Sequence, residues 1–522
     1  MKLALSYAIN SLLLRRHMHP KAAPLLSRQI ALGWLFLIGR TTAAFCLSPQ
    51  PRPPQTTKHI SSATFTNYSP THQRHSSAAY FKSYSQMSTV RSSSNSNVAE
   101  AAAMDQQLAT KWEDVFTHQN HPNYSPKYLF PPLSSTSHKG SHGRIAILGG
   151  SDKYTGAPYY AAQAALNCGV DLATIFCATE AQTPIKCYSP ELMVQGIYSI
   201  EQFDALLEEE EVLLQELEKY KHKNDLITVE TYDTIMGDDT TSNISLEKLL
   251  LEHDDSHNEL IQNELLKNAE DNKKNMDEIV HKLEKVKLLQ ESLQELQDRQ
   301  MEIISKSVQD VVSMFPTLHA LCVGPGLGRH PLVFKVVQQV LQRGMESNLT
   351  LILDADVLFM LSLGEYRELY EELLEYEGCV MTPNVMEMKR LMSSQSTSLG
   401  SENDNKNIIV EKGHVDAISR GDFVMQCAEE GGLKRSGGIG DVLAGTISAY
   451  MAWYTILDGG NKASELQVLK QQREFAVWTA CCTVKRATKL AFENKRRAMS
   501  SRDVLGEICG VIADMEDDIE KC

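Results

Sequence analysis

The chain has 522 residues, 42% of them hydrophobic and 22% charged, which is ordinary for a soluble globular protein and ample for a large core. Its formal net charge of −15 excludes a protein organised around nucleic-acid phosphates, which need a basic face. The eleven cysteines form no CxxC pair, so a zinc ribbon is excluded and reduced, mostly structural thiols are expected.

No Asp or Glu precedes Glu100, whereas Arg, Lys, His, Ser and Thr abound. Such a tract reads as a targeting leader and not as a fold. Within it Ile30–Gly39 (IALGWLFLIG) has the length of a signal-peptide core and is too short to span a bilayer comfortably. Arg28 precedes it, TTAAF follows it, and a Ser/Thr-rich, acid-free stretch continues to Ser94. That order resembles the two-part presequences of plastids bounded by extra membranes. A mitochondrial presequence is the second choice, and a start at Met87 or Met104 would leave the protein cytoplasmic. The expectation is a leader and linker over 1–104, an organellar address with plastid ahead of mitochondrion, and no stable membrane insertion of the mature protein.

Short apolar segments ending in glycine or acid are expected strands: RIAILGGS (Arg144–Ser151), LATIFCA (Leu172–Ala178), ALCVGPGLG (Ala320–Gly328), LTLILDAD (Leu349–Asp356), CVMTPN (Cys379–Asn384) and NIIVEKG (Asn407–Gly413). Helical stretches such as YYAAQAALNCG and PLVFKVVQQVLQRG lie between them. The pattern is interrupted at about 201–306, a segment rich in Glu, Lys, Gln and Leu in which Val286, Leu289, Leu293 and Leu296 keep the spacing of a helix seam. It reads as a charged helical hairpin outside the core, with its acidic face solvated; docking of a partner is the alternative use. Without leader and insertion roughly 300 residues remain, the size of one large α/β domain. The expected organisation is therefore a single domain over 105–522 that carries the insertion. Strands alternating with amphipathic helices predict a mostly parallel sheet covered on both faces, with ligands beyond the carboxyl ends of the strands.

Most motifs at those strand ends are ambiguous singly. GGSDKYTGAP lacks the spacing of a dinucleotide fingerprint or a P-loop, and GPGLG is weak alone. Asp354 and Asp356 are as consistent with helix caps as with chemistry. Asn384 and Glu387, three apart, fit a cap with a first-turn acid. LKRSGGIGDVLAG (Leu433–Gly445) is the strongest signal: its glycines let backbone N–H groups crowd an anion, and a helix starting near Asp441 adds its positive end.

The order of the motifs is more specific than any one of them. HKGSHGRIAILGGSDKYTGAPYYAAQAAL, SPELMV, GPGLGR, LDAD, MTPNVMEMKRL, EKGHVD, LKRSGGIGDVLAG and RRAMSSRDVLGEI together resemble the ATP-dependent NAD(P)H-hydrate dehydratases, eukaryotic branch, over about Trp112 to Ile508. The leader and the 201–306 segment have no counterpart in that resemblance. It implies a ribokinase-like three-layer α/β fold and a lyase that restores NADH or NADPH from its (6S) hydrate, NADHX or NADPHX. ATP would phosphorylate the ring hydroxyl, and the ring nitrogen's lone pair would then expel phosphate. Asp441 would be the general base, the N–H groups of Gly437 to Gly440 would hold the transferred phosphoryl group, and Mg²⁺ would accompany ATP. ATP contacts carry over to Lys412, Gly413, His414, Val415 and Asp416, and to Gly431, Gly432, Leu433, Lys434, Arg435, Ser436, Gly437, Gly438, Ile439 and Gly440. Lys434 and Arg435 would meet phosphates. Hydrate contacts carry over to Gly326, Asn384, Val385, Met386, Glu387, Met388, Lys389, Arg390 and Asp441; metal ligands stay unassigned. The family commonly has Gln or Thr where Ile439 stands; if that side chain touches nucleotide, its contact is lost here while the backbone N–H remains. A homo-oligomer and an epimerase partner in the same repair pathway are compatible with the resemblance. Two other classes stay open: a small-molecule kinase on the same fold (hydroxymethylpyrimidine or hydroxyethylthiazole type), whose phosphorylated product is kept, and an idle scaffold whose acidic helices bind a partner.

Overall fold

The computed structural model describes residues 108–117, 121–221, 258–393, 405–459, 466 and 468–521. The leader and linker expected over 1–104 and the middle of the expected insertion lie outside the described residues. Among the described residues no helix is long and apolar enough to cross a membrane.

Nine strands form one sheet: β1 (Arg144–Leu148), β2 (Leu172–Ala178), β3 (Met193–Tyr198), β4 (Ala320–Val323), β5 (Thr350–Leu353), β6 (Cys379–Met381), β7 (Ile408–Glu411), β8 (Asp416–Arg420) and β9 (Phe423–Cys427). Their order is β3-β2-β1-β4-β5-β6-β7-β8-β9. The first seven strands in that order run parallel, and β8 and β9 continue the edge antiparallel. Every residue of β4, β5 and β6 is buried, as a sheet covered on both faces requires. The helices that position the site are α1 (Gly156–Cys168), α2 (Ile200–Lys221), α3 (Asn258–Val312), α4 (Pro331–Glu346), α5 (Val385–Ser393), α6 (Ile439–Asp458), α7 (Gln472–Lys495) and α8 (Ser501–Glu520). Helices α1, α6, α7 and α8 pack on one another as one layer, and α2, α3 and α4 as the other. This is the three-layer, mostly parallel architecture expected from the sequence.

Packing explains how the glycine-rich helix start is seated. Helix α6 crosses α1 so closely that a Cβ on Gly445 would lie 1.9 Å from the Ala161 carbonyl oxygen. Only glycine fits, and the alanines of α1 (161, 162, 164 and 165) are buried at this contact layer. Three strands were not anticipated. β3 carries Gly196 and is only partly buried at the sheet edge, and β8–β9 is a hairpin that turns at Gly421, φ 54.

The 201–306 segment forms the expected antiparallel helix pair: Glu209 meets Arg299 at 2.8 Å, Glu210 meets Gln300 at 2.9 Å, and Lys285 lies over Tyr220. Leu289 and Leu296 are buried and Val286 and Leu293 half-buried, so the predicted seam is the contact seam. The pair is not a decoration outside the core, however. Phe203, Leu206, Ile304, Val308 and Val311 are buried in the main core, and Ser307 Oγ donates to the Ile197 carbonyl at 2.8 Å. Apolar residues at both helix bases complete the layer over β3.

Candidate active site

Strand order reverses between β1 and β4, because the chain moves outward through β2 and β3 on one side and through β5, β6 and β7 on the other. Loops beyond the carboxyl ends diverge at such a point and leave a crevice. The loops after β1 and β4 wall it and are pinned by the Gly150 N–H, which donates to the Pro325 carbonyl at 3.0 Å. Gly326 lies in this wall at φ 63, where a Cβ would stand 2.7 Å from the Tyr154 carbonyl oxygen. A side chain there would force the two loops apart.

Beside the crevice, β5 and β7, which flank β6, deliver opposite charges to one spot. Asp354, directly after β5, is 2% exposed and accepts from Lys412 Nζ at 2.6 Å and Thr382 Oγ1 at 2.7 Å. Lys412 follows β7, and its backbone N–H donates to the Pro383 carbonyl at 2.9 Å. Burial acts to lower the Lys412 pKa; the carboxylate of Asp354, with Glu387 and Asp441, outweighs it and holds the ammonium above its ordinary value. Between the two aspartates Ala355 adopts φ 56, a conformation that costs a non-glycine residue about 1–3 kcal/mol. The turn sends Asp356 to the β4 loop, where it accepts from the Gly328 N–H at 3.0 Å and Arg329 Nε at 3.3 Å.

The glycine loop closes the site. Helix α6 begins at Ile439 after Gly438, φ 93, and its first-turn N–H groups have no partner within the helix. Ser501 Oγ donates to the Gly437 carbonyl at 2.5 Å, and nothing stands within 4 Å of where a Gly437 side chain would be. A Cβ on Gly440 would lie 3.6 Å from Lys412 Nζ, so the ammonium sits at the helix start. Asp441 belongs to that first turn. Burial, then the negative charge of Asp354, pushes its carboxyl up to about 7; Lys412 partly offsets this and Asp356 adds to it. Such a carboxyl can exchange a proton near neutral pH while the N–H groups beside it hold an anion.

The other expected site residues divide into exposed groups and internal braces. His414, Val415, Leu433 and Arg435 are exposed, and Arg435 makes no hydrogen bond or ion pair among the described residues. Val385, Met386, Lys389 and Arg390 are exposed on α5. Tyr154, Val385, Met386, Val415 and Leu433 are all large apolar side chains left in solvent, on the loops of this one site and at the start of α5. Lys434, expected to meet phosphate, instead donates to the Met499 carbonyl at 2.5 Å, which Ser436 Oγ also reaches at 2.9 Å. The Asp416 carboxylate is likewise spent inside the protein, on the Gly413 N–H at 2.8 Å and Lys485 at 3.3 Å. Asn384 and Glu387 form a reciprocal cap. Asn384 Oδ1 accepts from the N–H groups of Met386 and Glu387 at 2.9 and 3.0 Å, and Glu387 Oε2 accepts from that of Asn384 at 2.8 Å. Sequence reasoning left Asp354 as a cap candidate and did not find Thr382, Lys485 or Ser501. A strand-end acid was a signal for the first; the others carried none. No group of three His, Cys, Asp or Glu among the described residues could by itself hold a metal ion.

A family model described as NAD(P)H-hydrate dehydratase matches residues 145–221 and 275–509, including both helix bases of the 201–306 segment. The chain is similar to the ATP-dependent (S)-NAD(P)H-hydrate dehydratase of Pongo abelii, 27% identical over 392 residues, covering 73% of this chain and 84% of that protein. It is also similar to the protein of the same name in Batrachochytrium dendrobatidis, 27% identical, covering 75% and 97%. Among solved structures it is similar to a hypothetical protein of Streptococcus mutans (TM-score 0.43, 16% identity, 75% of this chain and 97% of that one). A second is an ADP/ATP-dependent NAD(P)H-hydrate dehydratase of Bacillus subtilis co-crystallised with ATP/Mg²⁺ (TM-score 0.38, 15% identity, 77% and 99%).

Proposed function

This chain belongs to the NAD(P)H-hydrate dehydratase family, whose model matches more than half of it, and from that membership we propose its reaction in residue terms. It is an ATP-dependent lyase that converts the (6S) hydrates of NADH and NADPH back to NAD(P)H. Hydroxide leaves poorly, so the γ-phosphoryl group passes to the ring hydroxyl and ADP departs. Asp441, as carboxylate, takes the hydroxyl proton. The ring nitrogen's lone pair then expels phosphate as the C–O bond breaks, and loss of a proton from the neighbouring ring carbon restores the double bond.

The observation that carries this reading is Asp441, its carboxyl pushed up to about 7, in the first turn of a glycine-led helix whose start holds Lys412. In this reading the first-turn N–H groups and Lys412 neutralise the transferred phosphoryl group. Exposed Val415 and Leu433 receive the base of ATP, and Met386, Lys389 and Arg390 face the dinucleotide with Gly326. Lys434 and Asp416 shape their loops from within. Mg²⁺ fits the donors present, which are all oxygen, and would be held mainly by ATP phosphates and water, with Glu387 and Asp441 as the carboxylates to hand. When bound it would neutralise phosphate charge. Ile439 leaves the nucleotide only a backbone contact there. We also propose organellar import, plastid before mitochondrion, on the acid-free first 99 residues.

The test is to incubate the purified protein with NADHX, ATP and Mg²⁺. Absorbance near 340 nm should rise, with one ADP and one phosphate per NADH. A phosphorylated product that persists would instead identify a kinase.

A further inference from the structure

We propose that Lys485, with Thr488 one turn later on α7, is a positioning residue that fixes the two ATP loops relative to each other; this rests on the ATP assignment above. Neither residue lies in a glycine loop or beside a site motif. Lys485 Nζ lies 2.6 Å from the His414 carbonyl, 3.3 Å from Asp416 Oδ2 and 3.5 Å from the Cys427 carbonyl. An ammonium has three N–H donors, and these acceptors occupy them. Lys485 therefore acts through the 412–416 loop and does not touch the nucleotide. Thr488 reaches the other loop: its Oγ1 accepts from the Gly432 N–H at 3.1 Å and donates to the Lys485 carbonyl at 2.7 Å. A Cβ on Gly431 would stand 3.1 Å from that same oxygen. The two loops thus share one support.

That support is rigid. Phe475, Trp478, Cys481 and Cys482 of α7 are buried, and Trp478 Nε1 donates to the Gln426 carbonyl of β9 at 2.8 Å. Both loops rest on this buried helix, which sets their separation and so holds a nucleotide in one geometry. Losing either tie leaves the loops to find it during binding, which weakens affinity without altering the chemical step.

The experiment uses the full chain with Lys485→Met, Lys485→Arg and Thr488→Val. ATP binding is measured by calorimetry, and KM for ATP and for the hydrate by turnover. In Lys485→Met and Thr488→Val the ATP Kd and KM should rise about tenfold or more. KM for the hydrate, and kcat at saturating ATP, should stay within about twofold. Lys485→Arg should recover part of the affinity, since it keeps the charge and several donors. Thr488→Val removes one hydroxyl and decides the matter if Lys485→Met, which strands buried Asp416, does not fold. Unchanged ATP affinity in a folded variant overturns the proposal, as do equal losses toward ATP and hydrate. The calorimetry decides this even if the wild-type protein binds ATP and leaves the hydrate unconverted, an outcome that would refute the reaction and not the support.

Discussion

Replacing Asp441 by asparagine separates its chemical role from its structural one. Asparagine keeps the volume and most of the hydrogen bonding in the first turn of α6 but cannot accept the hydroxyl proton. Loss of a general base typically costs about 10²–10⁴ in rate, so kcat should fall by that factor, with little change in KM for ATP. Stability should move the other way. The carboxyl titrates near 3.8 when exposed and at about 7 in the fold, so the folded state holds its proton more tightly. The penalty for the anion is absent below about pH 4, grows toward pH 7 and is complete above it. Its size is at most about 4 kcal/mol. Urea unfolding of Asp441→Asn should match wild type near pH 4 and exceed it at pH 8, while the rise of wild-type turnover through pH 7 disappears. Wild-type-like turnover in the variant, or reduced stability at pH 8, would refute this account of Asp441.

Three further outcomes are expected. Lys412→Met strands the buried Asp354 carboxylate and should cost about 3–5 kcal/mol in urea unfolding while abolishing ATP-dependent turnover. Replacing 222–257 by a short flexible linker should leave folding and turnover near normal, because loop length carries a small entropic cost. Cutting 202–305 instead removes Phe203 and Ile304 from the core, and thermal melts should show no cooperative transition. Mass spectrometry of the native protein should find its N-terminus downstream of Phe45, and an intact Met1 terminus would contradict import.

Six parallel strands were legible because each is a short apolar run, four of them stopping at glycine or acid, a pattern tied to burial on both faces. β3, β8 and β9 were not legible because these strands at the two sides of the sheet are only partly buried, and MVQGIY or DAISR has too little apolar character to stand out. The extent of the helix pair was misjudged for a related reason. The seam through Leu289 and Leu296 passes buried Gln300 and continues into Ile304, Val308 and Val311, and periodicity does not distinguish a partner helix from a core. In the site, the placing of Asp441 at a glycine-led helix start was readable because that pattern is local. The inward hydrogen bonds of Lys434 and Asp416 were not legible, because a charge beside a glycine loop does not reveal which way its hydrogen bonds point. Lys485 was invisible, since its partners at 414 and 416 lie some seventy positions earlier.

The central claim is that the ring hydroxyl leaves as phosphate. Hydrate carrying ¹⁸O in that hydroxyl, turned over with ATP and this protein, tests it directly by mass spectrometry of the products. Phosphoryl transfer followed by elimination places one ¹⁸O in each released phosphate and none in water. Unlabelled phosphate, with the label recovered in water, would show that the hydroxyl leaves without being phosphorylated and would contradict the roles assigned to Asp441 and the glycine loop.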